Sequence, residues 1–210
     1  MKELFKFYNV RIKMRNRLVG GYPKNIDAER AMLTARGLED LIPPQPDLST
    51  LSDDERKALE QETVEKSMIG FKSNGHGLYI ESRQVKAMFK ECANILKGPK
   101  LLDVKNFKSK VAERIFVEPR EILLGKTEPD GKDSRPVHVM TAMGPRTSIK
   151  TMEYVEGVEI AFRIKVLQDG VVTEDHIRTM LEYAQDNGLG ADRSQGDGQF
   201  DLVEFSDATQ

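Results

Sequence analysis

Polar and apolar residues alternate along the first part of the chain with the two-residue period of a β-strand. Between Phe5 and Leu18, one phase of this period is apolar and the other is basic. The apolar phase consists of Val10, Ile12, Met14 and Leu18. The basic phase consists of Arg11, Lys13, Arg15 and Arg17. Because four like charges in register repel one another, the pattern favours a surface that faces an anion over a strand face that is merely solvated.

A strongly amphipathic helix is predicted over 82–96. Apolar residues recur there at helical spacing, while Arg83, Lys86 and Lys90 fall on the opposite side. The basic side has the same sign as the basic phase of the first strand. Cys92 lies on the apolar side, where it is expected to be a buried small hydrophobe, with a reactive thiol as the minor alternative.

The last third of the chain predicts a strand, a helix and a strand. Residues 158–167 alternate strictly between apolar and other side chains, as in a half-buried strand. Thr173 is suited to cap a helix, and Gly188 is suited to end it. A final strand is expected over 199–205.

The middle of the chain, 111–155, is rich in strand-forming residues. It includes a predicted hairpin with arms 136–141 and 147–155, whose tip carries Arg146 and which is expected to protrude. The whole order, strand, helix, strands, strand, helix, strand, is the βαββαβ plan of an α+β, ferredoxin-like (RRM-like) fold with insertions. We expect one domain over 1–210, with an acidic helical insertion at about 42–74 and the hairpin at about 135–156.

Composition changes this picture through the distribution of charge. The chain has 32 basic and 34 acidic residues among 210, a net charge of −2. Residues 1–24 carry seven basic residues and one acidic residue. Residues 39–66 carry three basic and nine acidic residues, and residues 83–110 carry eight basic and two acidic residues. Separated fields of this kind suggest a polyanionic partner, although a segregated solvated surface gives the same counts.

Several classes of protein are excluded or disfavoured by composition. One Cys rules out a disulfide scaffold and a Cys-based zinc site, and with only three His any metal would have to be held mainly by carboxylates. No metal or other cofactor is expected. No apolar run approaches the roughly 20 residues of a membrane span, and the first residues lack the pattern of a signal peptide. A cytoplasmic protein without a membrane partner is expected.

The densest local motif is a glycine-rich stretch over 188–198, with two G-x-G pairs separated by five residues. Glycine allows positive φ angles, so backbone amides could turn toward a phosphate that approaches closely. The stretch runs from a helix into a strand, which is opposite to dinucleotide-binding and Walker loops, and this order makes a nucleotide cofactor an unlikely ligand. A plain connector would not explain the residues between the pairs, which include Arg193, Ser194 and Gln195.

Glycines in this pattern, between the second helix and the final strand, resemble the glycine-rich loop of the RAMP superfamily of CRISPR RNA-binding proteins. The segment Gly77-Leu-Tyr-Ile-Glu-Ser-Arg-Gln-Val-Lys-Ala-Met-Phe-Lys90 is similar to the entry into the first helix of the subunits that coat guide RNA. That family usually shows Pro-Gly-Ser-Ser/Thr before a Leu-Lys-Gly helix, whereas this chain has Glu81-Ser82-Arg83-Gln84 and Val85-Lys86-Ala87.

The resemblance implies a non-catalytic subunit that binds single-stranded guide RNA, self-associates along it and joins other effector subunits in a ribonucleoprotein with a role in antiviral defence. The predicted RNA-binding residues are Arg11, Lys13, Arg15, Arg17, Lys24, Arg83, Lys86, Lys90, Arg146, Gly188, Gly190, Arg193, Ser194, Gln195, Gly196 and Gly198. No aromatic pair of the RRM type is evident on the basic strand face, so tracking of the phosphate backbone is expected. Contact with about six phosphates would lower affinity by two to three decades between about 50 and 200 mM salt.

Three other functions stay open. An endoribonuclease of the same fold would use Asp27 in the loop after the first strand, or His76 before Gly77, although neither lies in a recognisable motif. A structural or interaction protein would use the acidic insertion to dock a basic partner or to act as a decoy for a nucleic-acid site. A single-stranded DNA-binding protein of a phage or mobile element would show the same phosphate contacts as an RNA-binding protein.

Overall fold

The computed structural model describes residues 4–24, 34, 52, 68–98, 102–141 and 144–208, with the backbone alone for 137–141 and 144–148. The strands are β1 (Phe5–Met14), β2 (Leu18–Val19), β3 (Tyr22–Pro23), β4 (Met68–Gly70), β5 (Lys72–Asn74), β6 (Gly77–Glu81), β7 (Ile115–Glu118), β8 (Glu121–Leu123), β9 (Gly131–Thr141), β10 (Gly144–Val155), β11 (Glu159–Leu167) and β12 (Phe200–Ala208). The helices are α1 (Ser82–Ile95), α2 (Phe107–Arg114) and α3 (Glu174–Asn187), and a 3₁₀ turn spans Arg193–Gln195.

The chain divides into two compact units. The first unit contains Met1–Val19, Lys72–Asp130 and Val155–Gln210, and the second contains Gly20–Phe71 and Gly131–Tyr154. The predicted hairpin belongs to the second unit, where β9 and β10 pair antiparallel from Gly144 opposite Thr141 to Tyr154 opposite Gly131. Its first arm begins at Gly131 and not at 136, because the ladder continues past Pro136.

A four-stranded antiparallel sheet forms the centre of the first unit, in the order β12-β1-β11-β7. Helix α1 lies between β1 and β7 along the chain, and α3 lies between β11 and β12. A sheet whose outer strands are the fourth and second of βαββαβ is the ferredoxin-like arrangement. The predicted fold class, α+β and ferredoxin-like with insertions and a hairpin, is therefore confirmed.

The core lies between this sheet and the helices, because each strand buries alternate residues. Val10 and Ile12 of β1 and Ile160 and Ile164 of β11 are at most 2% exposed. The helices contribute a larger apolar set at helical spacing: Val85, Met88, Phe89 and Cys92 from α1, and Ile177, Met180, Leu181 and Ala184 from α3. Burial of alternate strand residues leaves the odd-numbered residues of β1 on the opposite face of the sheet.

Helix α3 follows its sequence signals closely. The Thr173 hydroxyl accepts a hydrogen bond from the backbone N–H of His176, and Gly188 follows the last helical residue. Helix α1 begins at Ser82 as predicted, with a capping box formed by Glu81 and Gln84.

The middle of the chain departs from its prediction. Residues 111–114, expected in a strand-like region, belong to helix α2, whose Phe107 and Val111 share one buried face at i, i+4 spacing. A small sheet, β5-β6-β8, was not predicted. Most of the acidic insertion lies outside the described residues, and its last part forms β4 and β5. Among the described helices, none has the length and apolar content needed to cross a membrane.

Candidate nucleic-acid interface

One face of the four-stranded sheet is not covered by the helices, and we call it the open face. On the two central strands it is built from residues that lie directly opposite one another: Phe5 and Leu167, Phe7 and Lys165, Asn9 and Arg163, Arg11 and Ala161, and Lys13 and Glu159. Asn9, Arg11, Lys13 and Ala161 are exposed. The alternation in the sequence therefore places Arg11 and Lys13 on an accessible surface, as predicted.

Acidic residues from the neighbouring strands and from helix α3 lie among the basic residues of the first segment. Arg11 forms an ion pair with Glu204 at 3.3 Å, and Arg15 bridges Asp201 at 2.6 Å and Asp186 at 2.7 Å. Lys13 lies directly opposite Asp201 on β12 and Glu159 on β11. The prediction of a face with a single sign of charge is therefore wrong, because cross-strand acids offset the repulsion among the basic residues.

The glycine-rich loop over 188–198 is fastened to the segment that follows β1. Arg17 donates from Nε to Asp197 at 2.7 Å, and the Arg17 carbonyl accepts a 2.9 Å hydrogen bond from the backbone N–H of Gly198. The amide of Asn16 donates to the carbonyl of Gly196 at 2.5 Å. Asp197 is only 7% exposed, so the guanidinium of Arg17 compensates a largely buried carboxylate.

Three of the four glycines of the motif are required by close packing. A Cβ at Gly188 would lie 2.8 Å from the carbonyl oxygen of Asp197, and one at Gly190 would lie 2.7 Å from that of Val19. A Cβ at Gly198 would collide with the carbonyl of Leu189, whereas Gly196 has nothing within 4 Å. Packing alone therefore accounts for three glycines that the sequence analysis assigned to phosphate contact.

The backbone amides of the loop are largely used within the protein. The N–H groups of Gly188, Leu189, Ala191, Gln195, Gly196 and Gly198 donate to backbone carbonyls at 2.8–3.1 Å. These amides do not turn toward an external anion, which corrects the expectation of a phosphate cradle at those positions. Of the four glycines of the motif, Gly196, with φ of +88°, is the one with open space around its Cα.

Arg193 and Ser194 lie in the helical layer and not on the open face. Arg193 pairs with Glu91 of α1 at 2.5 Å. The two loop residues line a cavity of about 490 Å³ together with Glu91, Tyr183, Asp186 and Asn187. The end of the loop near Asp197 therefore contacts Arg17 of the basic segment. Arg193, by contrast, lies on the side of the sheet that the helices cover.

A row of aromatic rings and cations crosses the open face, and the sequence analysis missed it. Its members, which we call the aromatic ribbon, are Lys86, Phe116, Phe5, Lys165, Phe7 and Arg163. Successive members are close: Lys86 Nζ lies 4.9 Å from the Phe116 ring, and the Phe116 and Phe5 ring centres are 6.0 Å apart. Lys165 Nζ lies 4.3 Å from the Phe5 ring and 5.8 Å from the Phe7 ring, and Arg163 Cζ lies 5.2 Å from the Phe7 ring.

Phe5 and Phe7 share the odd-numbered phase of Arg11 and Lys13, and this parity is the signal that could have found them. The statement that no aromatic pair lies on the basic strand face is therefore wrong. Phe116 is added from β7, where it lies directly opposite Lys165 of β11. It is 40% exposed.

A shallow depression of about 830 Å³ adjoins the ribbon. Ala161 leaves room on the sheet surface because its side chain is a single methyl group. Around it stand Asn9 and two arginine–glutamate pairs, Arg11 with Glu204 and Arg163 with Glu118, both at 3.3 Å. These pairs are about half exposed, so each contributes little to stability and can exchange its partner.

The remaining predicted residues are dispersed. In the second unit, Lys24 pairs at 2.6 Å with Glu153, which is 4% exposed. Arg83 pairs with Glu81 at 2.6 Å. Gln195 is exposed, and the side chain of Arg146 is outside the described part.

Lys86 and Lys90 lie one turn apart on α1, and among the described residues neither forms an ion pair. Burial, together with the neighbouring charge of Lys90, lowers the pKa of Lys86.

Of the two candidate catalytic residues, the structure describes His76 alone. Asp27 lies outside the described residues. His76 is exposed in the turn between β5 and β6, where its backbone N–H donates to Asn74 Oδ1 at 2.9 Å. Within the described ranges, no group of three or more His, Cys, Asp and Glu side chains could hold a metal ion.

Comparison with solved structures finds chains of similar fold. The chain is similar to a chain in a cryo-electron microscopy structure of Type III-B Cmr-beta bound to cognate target RNA, with 13% sequence identity and a TM-score of 0.52. The match covers 98% of this chain but only 61% of that chain. At this identity the likeness shows a shared fold. No protein-family model and no curated protein matches the sequence.

Proposed function

We propose that the chain is a single-stranded RNA-binding subunit of a CRISPR-type ribonucleoprotein, with the open face as its RNA surface. The observation that carries this proposal is the accessible sheet face on which cations of both central strands lie beside partly exposed rings. A ligand that combines negative charge with flat apolar surfaces fits such a face, and single-stranded nucleic acid has both properties.

The comparison supports the proposal because a protein of the same fold occurs in an assembly bound to target RNA. By analogy, we propose that this chain joins other subunits, that the bound strand is a guide RNA and that copies self-associate along it. The role is proposed to be non-catalytic, in keeping with the resemblance of the glycine-rich loop to the RAMP superfamily.

The ion pairs determine which cations are best placed to meet phosphates. Lys13, Lys86, Lys90 and Lys165 form no ion pair with a described residue, so their charges are available without breaking an ion pair. Arg11 and Arg163 have one partly exposed carboxylate partner each. Arg17 is assigned a structural role, since its removal would leave Asp197 unpaired.

Binding of a fluorescein-labelled 15-nucleotide single-stranded RNA by the full chain, followed by fluorescence anisotropy, tests the proposal. The variant Lys13→Gln/Lys86→Gln/Lys165→Gln is expected to bind more weakly by about tenfold or more at low salt, because three phosphate contacts are lost. The matched control Lys97→Gln/Lys105→Gln/Lys108→Gln removes three charges outside the open face and is expected to change affinity by less than about threefold.

Equal losses in the two triple variants would assign binding to general electrostatic attraction and contradict the proposed site. Absence of RNA binding by the unmodified chain would contradict the function itself. The 260/280 nm absorbance ratio of the purified protein gives an independent reading, because the sequence has no Trp and bound nucleic acid raises the ratio clearly.

A further inference from the structure

The aromatic ribbon is an unusual use of phenylalanine on a sheet surface. Phe5 and Phe7 are only half-buried and Phe116 is 40% exposed, although large apolar side chains normally gain free energy by complete burial. The core of the first unit already covers the opposite face of the same strands. The three rings therefore lie at the surface because their positions in β1 and β7 face away from the core, and the core does not need them for packing.

The rings and cations form one connected path, in which Phe116 and Phe5 are adjacent and the other members alternate. Along it the order is Lys86, Phe116, Phe5, Lys165, Phe7 and Arg163, and each neighbouring pair lies within 6.0 Å. Lys86 and Lys165 form no ion pair with a described residue, and Arg163 has a single carboxylate partner, Glu118. The path therefore offers flat apolar surfaces with positive charge between them.

From this geometry we infer that the aromatic ribbon is a stacking platform for unpaired RNA bases, so that the protein binds the bases as well as the phosphate backbone. This inference rests on the proposed function. It adds that the protein prefers single-stranded RNA to a ribose-phosphate strand that lacks bases. A base that stacks on a phenyl ring displaces the ammonium group of Lys165 or Lys86, which then meets the adjoining phosphate. Stacking of this kind is tolerant of sequence because every base has a π face.

A surface for another protein is the competing occupant, and the charges argue against it. An apolar protein partner would have to desolvate Lys86, Lys165 and Arg163 together, whereas a nucleic acid pairs them with its phosphates. The paired acids Glu118 and Glu204 lie at the depression beside the ribbon and not within it.

The test compares two ligands with the same charge. A labelled 15-nucleotide oligouridine and a 15-nucleotide abasic ribose-phosphate oligomer carry equal numbers of phosphates, but only the first has bases. The full chain is expected to bind oligouridine about tenfold or more tightly than the abasic oligomer. Phe7→Leu/Phe116→Leu is expected to lose most of that difference, with binding of the abasic oligomer unchanged.

Two control variants keep the test specific. Phe7→Tyr/Phe116→Tyr retains the aromatic faces and is expected to keep the preference for oligouridine. Leu123→Ala changes another exposed apolar residue, 44% exposed on β8, and is expected to have no effect. If the leucine variant does not fold, photo-cross-linking of the unmodified chain to 5-iodouridine RNA still reports, with adducts expected on peptides that contain Phe5, Phe7 or Phe116.

The outcomes separate the two claims. Equal affinity of the unmodified chain for the two oligomers overturns the stacking inference and leaves RNA binding in place. No binding of either oligomer overturns both. If the leucine variant keeps the preference for oligouridine, the bases bind another surface and the inference is overturned. Cross-links confined to other peptides would lead to the same conclusion. Concentration-dependent dimerisation that Phe116→Leu abolishes without changing RNA affinity assigns the ribbon to a second copy of the chain and overturns the inference.

Discussion

Gly196 and Gly198 show how two similar residues of one motif differ in what their surroundings require. Both have left-handed backbones, with φ of +88° and +81°. An added methyl group at Gly198 would collide with the carbonyl of Leu189, whereas at Gly196 it would meet open space. Gly198 is thus required for close packing, whereas Gly196 lies in an accessible turn.

We expect Gly198→Ala to lower the free energy of unfolding by about 3 kcal/mol or more, since backbone strain and a steric clash add. Gly196→Ala should cost only the backbone term, about 1 kcal/mol. Urea denaturation of both variants measures the difference. Equal losses would show that the close contact at Gly198 relaxes and does not shape the loop.

Cys92 illustrates a residue whose role could be predicted from its position on an amphipathic helix. It is fully buried, and burial, with the charge of Glu91 nearby, raises the pKa of its thiol to about 12. At pH 8 the thiolate fraction is then about one in ten thousand. The native protein is expected to react with a chromogenic disulfide reagent only after denaturant is added, and rapid labelling of the native chain would contradict this placement.

The single residues that could not be predicted are the partners of the arginines. Arg11 and Arg15 have acidic neighbours, Glu204 and Asp201, that are almost 200 positions away in the sequence. Their proximity depends on the order and register of the strands, which local patterns do not encode. Phe5 and Phe7 could have been predicted from the sequence, since their odd-numbered positions in the strand place them on the same face as Arg11.

At the scale of elements, helix α3 was predictable because its limits are set locally. A threonine cap, acids in the first turn and a terminal glycine all lie within the helix or beside it. Helix α2 was missed since it is only eight residues long and is followed directly by β7. Short elements of this kind depend on tertiary contacts more than on their own sequence.

Glu174 in the first turn of α3 links the helix to β1 and predicts how stability changes with pH. Hydrogen bonds from Arg178 and from Lys6 hold the pKa of Glu174 below its usual value. Because the folded-state pKa is the lower one, Glu174 stabilises the fold above its unfolded-state pKa, and this contribution is lost as pH falls through the folded-state pKa.

The unfolding free energy is accordingly expected to fall as pH drops below about 4.5, the ordinary pKa of a glutamate, and Glu174→Gln should reduce the size of that fall. Glu182→Gln, an exposed position on the same helix, is the matched control. Chemical denaturation at several pH values supplies the measurement. Identical pH profiles for Glu174→Gln and the unmodified chain would show that these contacts do not persist in solution.

At the scale of the whole molecule, the net charge does not show how basic and acidic residues are distributed, and that distribution decides which charges can meet RNA. The basic field of the first segment predicted a polyanion partner, but internal acids neutralise part of it. Among the described residues, about four lysines without an ion pair remain near the open face and α1, fewer than the six phosphate contacts expected from the sequence.

The salt dependence of RNA binding is therefore expected to be moderate. With about four contacts, affinity should fall about 50-fold between about 50 and 200 mM salt, from a slope of roughly −0.7 per phosphate. Anisotropy titrations at several salt concentrations give the slope, and Lys13→Gln/Lys86→Gln/Lys165→Gln should reduce its magnitude by about two. A slope that the triple variant leaves unchanged would place the phosphates elsewhere.

The outermost strand β12 contains an irregularity with a consequence for assembly. Arg11 lies opposite Glu204 while the next residue, Ile12, lies opposite Leu202, so Val203 is an extra residue that bulges outward. A bulge interrupts the regular ladder that an incoming strand would need, and it protects a border against fibre-like growth. Copies seated side by side on one RNA would then meet through side chains and not through a continuous backbone ladder, and each could dissociate from its own stretch of RNA without unravelling its neighbour.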